Sequence, residues 1–121
     1  MSNPKLPVCP DAEVPAKLAE HGLTGWYFED GWIRRKYATS GWPATLMLVN
    51  AIAFLAESAW HHPDLSVTWA KVHVKLRSHA EGGITDKDFA LARRIEDVVL
   101  WQAPDGGPLP RPPKPLVKPG D

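Results

Sequence analysis

Three observations in the sequence predict an α+β domain of order α-β-β-α-β-β-α, a four-stranded antiparallel sheet with three helices packed on one face. Two stretches carry the alternation and turn chemistry of β-hairpins. Segments with helical periodicity bracket each of them. Strands joined as hairpins, with helices between, give an antiparallel sheet covered on one side. The third observation is length: 121 residues suit one domain with a single modest core.

The elements follow in order. Residues 1–10 carry three prolines and are expected to be extended. A helix is expected over 11–21, capped by Asp11, with Pro15 in its first turn and Gly22 as its stop. "GWYFEDGWIRRKY" then reads as a hairpin, its aromatic arms flanking Asp30-Gly31, a dipeptide preferred in type I′ turns. "SGWPATLMLVNAIAFLAESAW" reads as a long helix, with Ser40 near the cap and Pro43 in the first turn. Leu46, Val49, Ala53, Ala56 and Trp60 form one stripe; Met47, Asn50, Phe54 and Ser58 form a second, partly apolar one. A helix apolar on two faces needs two covers, the sheet and a second subunit. Pro63 is expected to end it.

A short strand over 65–68 precedes "VHVKLRS", in which Val72, Val74 and Leu76 alternate with His73, Lys75 and Arg77. Gly82-Gly83 makes a turn. "TDKD" resembles a capping box, Thr85 as cap and Asp88 in place of the usual Glu. The third helix should run to about Trp101 and bury Phe89, Ala92, Ile95 and Val99. The organisation is thus an extended segment over 1–10, a domain over 11–102 and a flexible tail over 103–121. Seven of the tail's nineteen residues are proline, so an extended, mostly solvated chain is expected.

Lys plus Arg and Asp plus Glu are fourteen each, so the net charge is zero. Neutrality argues against nucleic acid or an anionic membrane as partner. Cys9 is the single cysteine, which excludes an internal disulfide scaffold. "MSNPKLPVCP" lacks the apolar run of a signal peptide, and the apolar stretch 46–56 is short for a bilayer. A cytoplasmic protein is the expectation. Six tryptophans (Trp26, Trp32, Trp42, Trp60, Trp69, Trp101) are expected to fill core and subunit interfaces.

Three of the five histidines, His61, His62 and His79, fall within one stretch. Adjacent side chains diverge, so His61 and His62 rarely ligate one ion, and the only cysteine is remote. No serine occupies a G-x-S-x-G elbow. His73, on the polar side of its strand, reads as a surface residue. Imidazole titrates nearest neutrality, which suits proton transfer. A helix end carrying His61 and His62 and a strand end carrying His79 could line one cleft. Acid–base chemistry and unrelated structural histidines both stay open on the residues alone.

The stretch with Glu57, His61, His62, Pro63, Trp69, His79 and Asp88 resembles the signature of the pterin-4a-carbinolamine dehydratases. The similarity extends through "WIRRKY" upstream and "GGITDKDFALARRIE" downstream. It implies the fold derived above, assembled as a homodimer or homotetramer through the sheet edge and the long helix. The implied reaction is loss of water from a 4a-hydroxytetrahydropterin, giving quinonoid dihydropterin, with neither metal nor organic cofactor. By carry-over, His61 and His79 act at the hydroxyl as acid and base, and His62 orients the pterin. Glu57 and Asp88 hold the framework of the site and Trp69 walls the pocket, these three and Pro63 forming the substrate-binding set. The Trp-rich hairpin and proline-rich tail resemble a branch of the family associated with RuBisCO assembly in carboxysome-bearing autotrophs. That resemblance implies RuBisCO subunits as partners and an assembly (chaperone) role without catalysis.

Overall fold

The computed structural model describes residues 5–119. A 3₁₀ turn (Asp11–Glu13) leads into α1 (Val14–Glu20). The strand pair β1 (Tyr27–Glu29) and β2 (Trp32–Ala38) precedes α2 (Trp42–Ala59). The second pair, β3 (Asp64–Thr68) and β4 (Lys71–Leu76), precedes α3 (Asp86–Val99). The four strands form one antiparallel sheet in the order β1-β2-β4-β3. The α+β class, the element order and the antiparallel sheet agree with the sequence.

Local chemistry explains the hairpin. Asp30 and Gly31 both have positive φ, 50° and 82°, as a type I′ turn requires. The inward residues Ile33, Tyr37, Val72, Val74 and Leu76 are fully buried. They meet Ile52 of α2 and Phe89, Ala92 and Ile95 of α3 in one core.

Several local expectations are corrected. Asp11 does not cap α1; its carbonyl accepts the Val14 N–H inside the 3₁₀ turn. Gly41, not Ser40, occupies the N-cap of α2. The buried stripe of α2 is Ala44, Thr45, Leu48, Ile52 and Ala56, whereas Leu46, Phe54 and Trp60 are exposed. Both faces were apolar enough to mislead the stripe assignment. The helix also stops before Pro63 acts: Trp60 takes the left-handed conformation (φ 50°, ψ 46°), and His61 N–H closes on the Ala56 carbonyl. α2 spans eighteen residues, inside the long helix expected over 40–60. Taken whole, unlike the stretch 46–56, it is long and apolar enough to cross a membrane by length and composition, and here it packs against β3, β4 and α3. The last helix ends at Val99, two residues short of Trp101.

The tail is extended and largely exposed, yet part of it is fixed to the domain. Lys118 N–H donates to the Ala38 carbonyl (2.8 Å) and Ser40 N–H to that of Leu116 (3.1 Å), and Ala103 and Val117 are buried. The N-terminal segment is likewise pinned where Cys9 N–H donates to the Ile84 carbonyl at 2.7 Å.

Thr85 caps α3 in a complete capping box: its Oγ1 accepts from Lys87 N–H, and the Asp88 carboxylate accepts from Thr85 N–H. Thr85→Ala is expected to lower stability by about 1 kcal/mol. Urea unfolding measures it, and an unchanged midpoint would contradict the assignment.

The sheet face away from the helices is open. His73 lies there half-buried rather than fully at the surface, its Nε2 paired with Tyr27 Oη at 3.1 Å. Burial first, then Lys36, Arg34, Lys71 and Lys75, hold its imidazole below the ordinary value. The folded state thus favours neutral His73, while the unfolded chain protonates near pH 6.5. This contribution is fully present above about pH 6.5 and is lost as pH falls toward the lower folded value. Unfolding at a series of pH values should show that decline, flattened in His73→Gln; an identical slope in both proteins would contradict it.

Candidate active site

The site is built where the end of α2 meets the start of α3. The left-handed Trp60 reverses the chain, so that His61 turns onto α3. There His61 Nε2 pairs with Asp88 Oδ1 at 2.6 Å. Asp88 is completely buried, and its second oxygen accepts from Ser78 Oγ (2.8 Å) and Thr85 N–H (2.9 Å). Ser78 Oγ also pairs with Thr85 Oγ1 at 2.8 Å. Both carboxylate oxygens are therefore anchored, and the imidazole is held by a group that cannot swing away.

This arrangement fixes the chemistry of the ring. With Nε2–H donating to the carboxylate, Nδ1 carries the lone pair and can take a proton. The Asp88 carboxylate holds the ring in place while Nδ1 takes the proton, and Nδ1–H can return it. One histidine can thus serve as base and acid in turn.

His61 opens onto a cavity of about 480 Å³. Ser58, Ala59, Lys87 and Arg94 share its wall. Neither Lys87 nor Arg94 was singled out from the sequence. Their signal was the 87-90-91-94 spacing on one side of α3, the side that also carries Asp88 toward His61.

The other candidates are distributed around this centre. His62 is exposed, its Nε2 2.6 Å from Glu57 Oε1 and its ring edge-on to Trp60 at 5.1 Å. Glu57 therefore orients His62, in a solvated pair. Pro63 is half-buried between α2 and β3. His79 follows Ser78 directly and is exposed, packed edge-on against Trp32 at 5.3 Å. His79 is tied to the Asp88 network by its neighbour's hydroxyl, not by its own ring. Of the three histidines only His61 lines the cavity, so the expectation of one cleft shared by all three is corrected.

Trp69 is also relocated. It occupies the tip of the β3–β4 hairpin, beside Gly41, and its carbonyl accepts from Thr45 Oγ1 at 2.9 Å. β3 separates it from the His61 end by roughly 16 Å at the strand rise per residue. Within one chain Trp69 does not wall the His61 cavity. Among the described residues, no three His, Cys, Asp or Glu side chains converge as metal ligands.

A second buried cluster escaped the sequence reading. Glu96 Oε1 accepts from Tyr37 Oη (2.6 Å), Trp26 Nε1 (3.2 Å) and Arg35 Nε (3.3 Å). Burial, then the hydrogen bond and charge of Glu96, push the Tyr37 phenol far above its ordinary value. Arg35 shares the inward side of β2 with Ile33 and Tyr37, a placement at which a sequence reader expects an apolar residue.

The family model for pterin 4 alpha carbinolamine dehydratase matches residues 7–98. The chain belongs to this family. A dehydratase-named relative from Aquifex aeolicus is 46% identical over 88 residues, spanning 73% of this chain and 89% of the relative. One from Roseiflexus castenholzii is 40% identical over 89 residues, spanning 74% and 94%. A crystal structure described as a transcriptional coactivator/pterin dehydratase from Brucella melitensis superposes with TM-score 0.60 at 26% identity. It covers 67% of this chain and 90% of that one. In this pterin dehydratase-family chain, the tail beyond residue 98 lies outside the matched region.

Proposed function

We propose that this protein dehydrates a 4a-hydroxytetrahydropterin, with His61 as the principal proton-transfer group. The observation that carries the reading is the buried Asp88 carboxylate clamped on His61 Nε2, beside a cavity large enough for a bicyclic ring. The C4a–O bond breaks as the hydroxyl gains a proton and leaves as water. A ring N–H gives up its proton, and its electron pair forms the new C=N bond of the quinonoid product. Protons move and no net oxidation occurs. His61 at the hydroxyl can supply and recover the proton. The family resemblance assigns His62 (oriented by Glu57) and His79 to the pterin as well, although neither ring lines this cavity within one chain. Stopped-flow absorbance with a 4a-hydroxytetrahydropterin tests this. Wild-type protein should accelerate dehydration over buffer; equal rates would remove the enzyme reading.

A second reading, an assembly factor for RuBisCO subunits without catalysis, is favoured by exposed apolar side chains. Along α2 these include Trp42, Met47 and Phe54 (72% exposed), with Trp60 at 76% just beyond. Such a face suits either self-association into dimers and tetramers or a partner protein. Co-expression with RuBisCO subunits should then raise the yield of assembled enzyme; an unchanged yield would count against this role.

A further inference from the structure

The chain is neutral as a whole, but its charges are unevenly placed on the sheet. Because Ile33, Arg35, Tyr37, Val72, Val74 and Leu76 point inward, the alternate residues of β2 and β4 occupy the open face. They include Arg34, Lys36, Lys71 and Lys75, with Arg77 just past β4. Glu29 and Asp64 are the acidic residues on the same side of the strands, leaving an excess of three positive charges. The register sets Arg34 directly opposite Lys75 and Lys36 opposite His73. Like charges facing each other across a ladder are destabilising. Among the described residues, none of the five cations forms an ion pair with a carboxylate. The same cations act on the His73 imidazole. Asp64 opposes Lys75 across the other ladder, but Lys36 and Lys71 face no carboxylate on either side, and this uncompensated charge fits an external anion.

We propose that this open sheet face docks an acidic segment of a partner protein, its carboxylates set across β2 and β4. The spacing fits: alternate residues along β4 lie about 6.6 Å apart, as do alternate side chains of an extended peptide. Two features favour carboxylates over nucleic acid. The aromatic rings of this face are already occupied: Lys75 Nζ lies 4.5 Å from the Trp32 centroid, Lys36 Nζ 5.8 Å from that of Tyr27, and His79 abuts Trp32. They are not free platforms for bases. A nucleic acid would also carry its charge beyond the patch, onto a surface where the balancing negative charge of a neutral chain resides.

Fluorescence anisotropy with a labelled oligoglutamate peptide, against an oligothymidylate of matched charge, tests this on the full chain. The variants are Lys36→Glu/Lys71→Glu and, as a control away from the face, Lys114→Glu. Lys36 and Lys71 are exposed and oppose no carboxylate across the ladder, so the double variant should fold, with tryptophan near-ultraviolet dichroism as the check. Wild type is expected to bind oligoglutamate more weakly as salt rises. The double variant should lose about tenfold or more in affinity, with Lys114→Glu near wild type. Tighter binding of oligothymidylate, an equal loss in Lys114→Glu, or no saturable binding would overturn the proposal.

Discussion

His61→Ala is expected to lower kcat for pterin dehydration by about 10²–10⁴-fold, the range for removing a positioned acid–base group. KM should move far less, because the ring is one part of a cavity wall that the other side chains keep. Asp88 acts through His61 and is a positioning residue. Asp88→Asn keeps the size of the side chain but replaces the carboxylate oxygen that holds His61 Nε2. Its effect should fall on kcat, with KM little changed. Asp88 also belongs to the α3 capping box, so part of any Asp88→Asn effect is lost stability. Thr85→Ala calibrates that part, since it weakens the cap while the backbone N–H to Asp88 remains. A His61→Ala enzyme within a factor of about two of wild type would contradict the proton-transfer assignment.

The second large effect concerns stability. Glu96→Ala is expected to cost about 3–5 kcal/mol, because it leaves the Arg35 guanidinium buried and unpaired. Arg35 is 2% exposed, and Trp26 Nε1 and Tyr37 Oη lose the same acceptor. Total stabilities of small domains run about 5–15 kcal/mol, so the variant should be close to unfolding. The double variant Arg35→Met/Glu96→Leu removes both charges and should recover much of the loss. Urea titrations of wild type, Arg35→Met, Glu96→Leu and the double variant give the cycle. A Glu96→Ala loss below about 1 kcal/mol would show that Arg35 reaches water. Gly25 belongs to the same cluster: a Cβ there would lie 2.6 Å from Arg35 Nε, so no larger residue fits without moving the guanidinium.

The sequence was most legible where chemistry is local. Asp30-Gly31 announced a type I′ turn, and Thr85 with Asp88 announced a capping box, because both depend on neighbours in the chain. The His61–Asp88 pair spans twenty-seven positions, and the family pattern placed both residues without showing their contact. Helix termination was less legible. Pro63 is a visible breaker, whereas the stop is a left-handed tryptophan, a conformation no propensity suggests. The buried stripe of α2 was misassigned because apolar residues cover more than half its circumference, and only the sheet decides which side is inside. Nothing in the sequence singled out Arg35 or Glu96: strand register turns Arg35 inward beside Tyr37, and Glu96 reaches the pair from α3. The family resemblance implied Trp69 as a pocket wall, but a hairpin sends the residue at its tip away from both ends. Neutral composition hid the basic sheet face, since totals carry no information about placement.

The most direct test of the His61-centred site is nitrogen-15 correlation NMR of the imidazole rings during titration with a stable 7,8-dihydropterin. The account predicts that the His61 ring nitrogens shift with saturation, Nδ1 the more strongly, while His21 and His73 stay in place. Unmoved His61 resonances, with saturable shifts elsewhere in the protein, would contradict it.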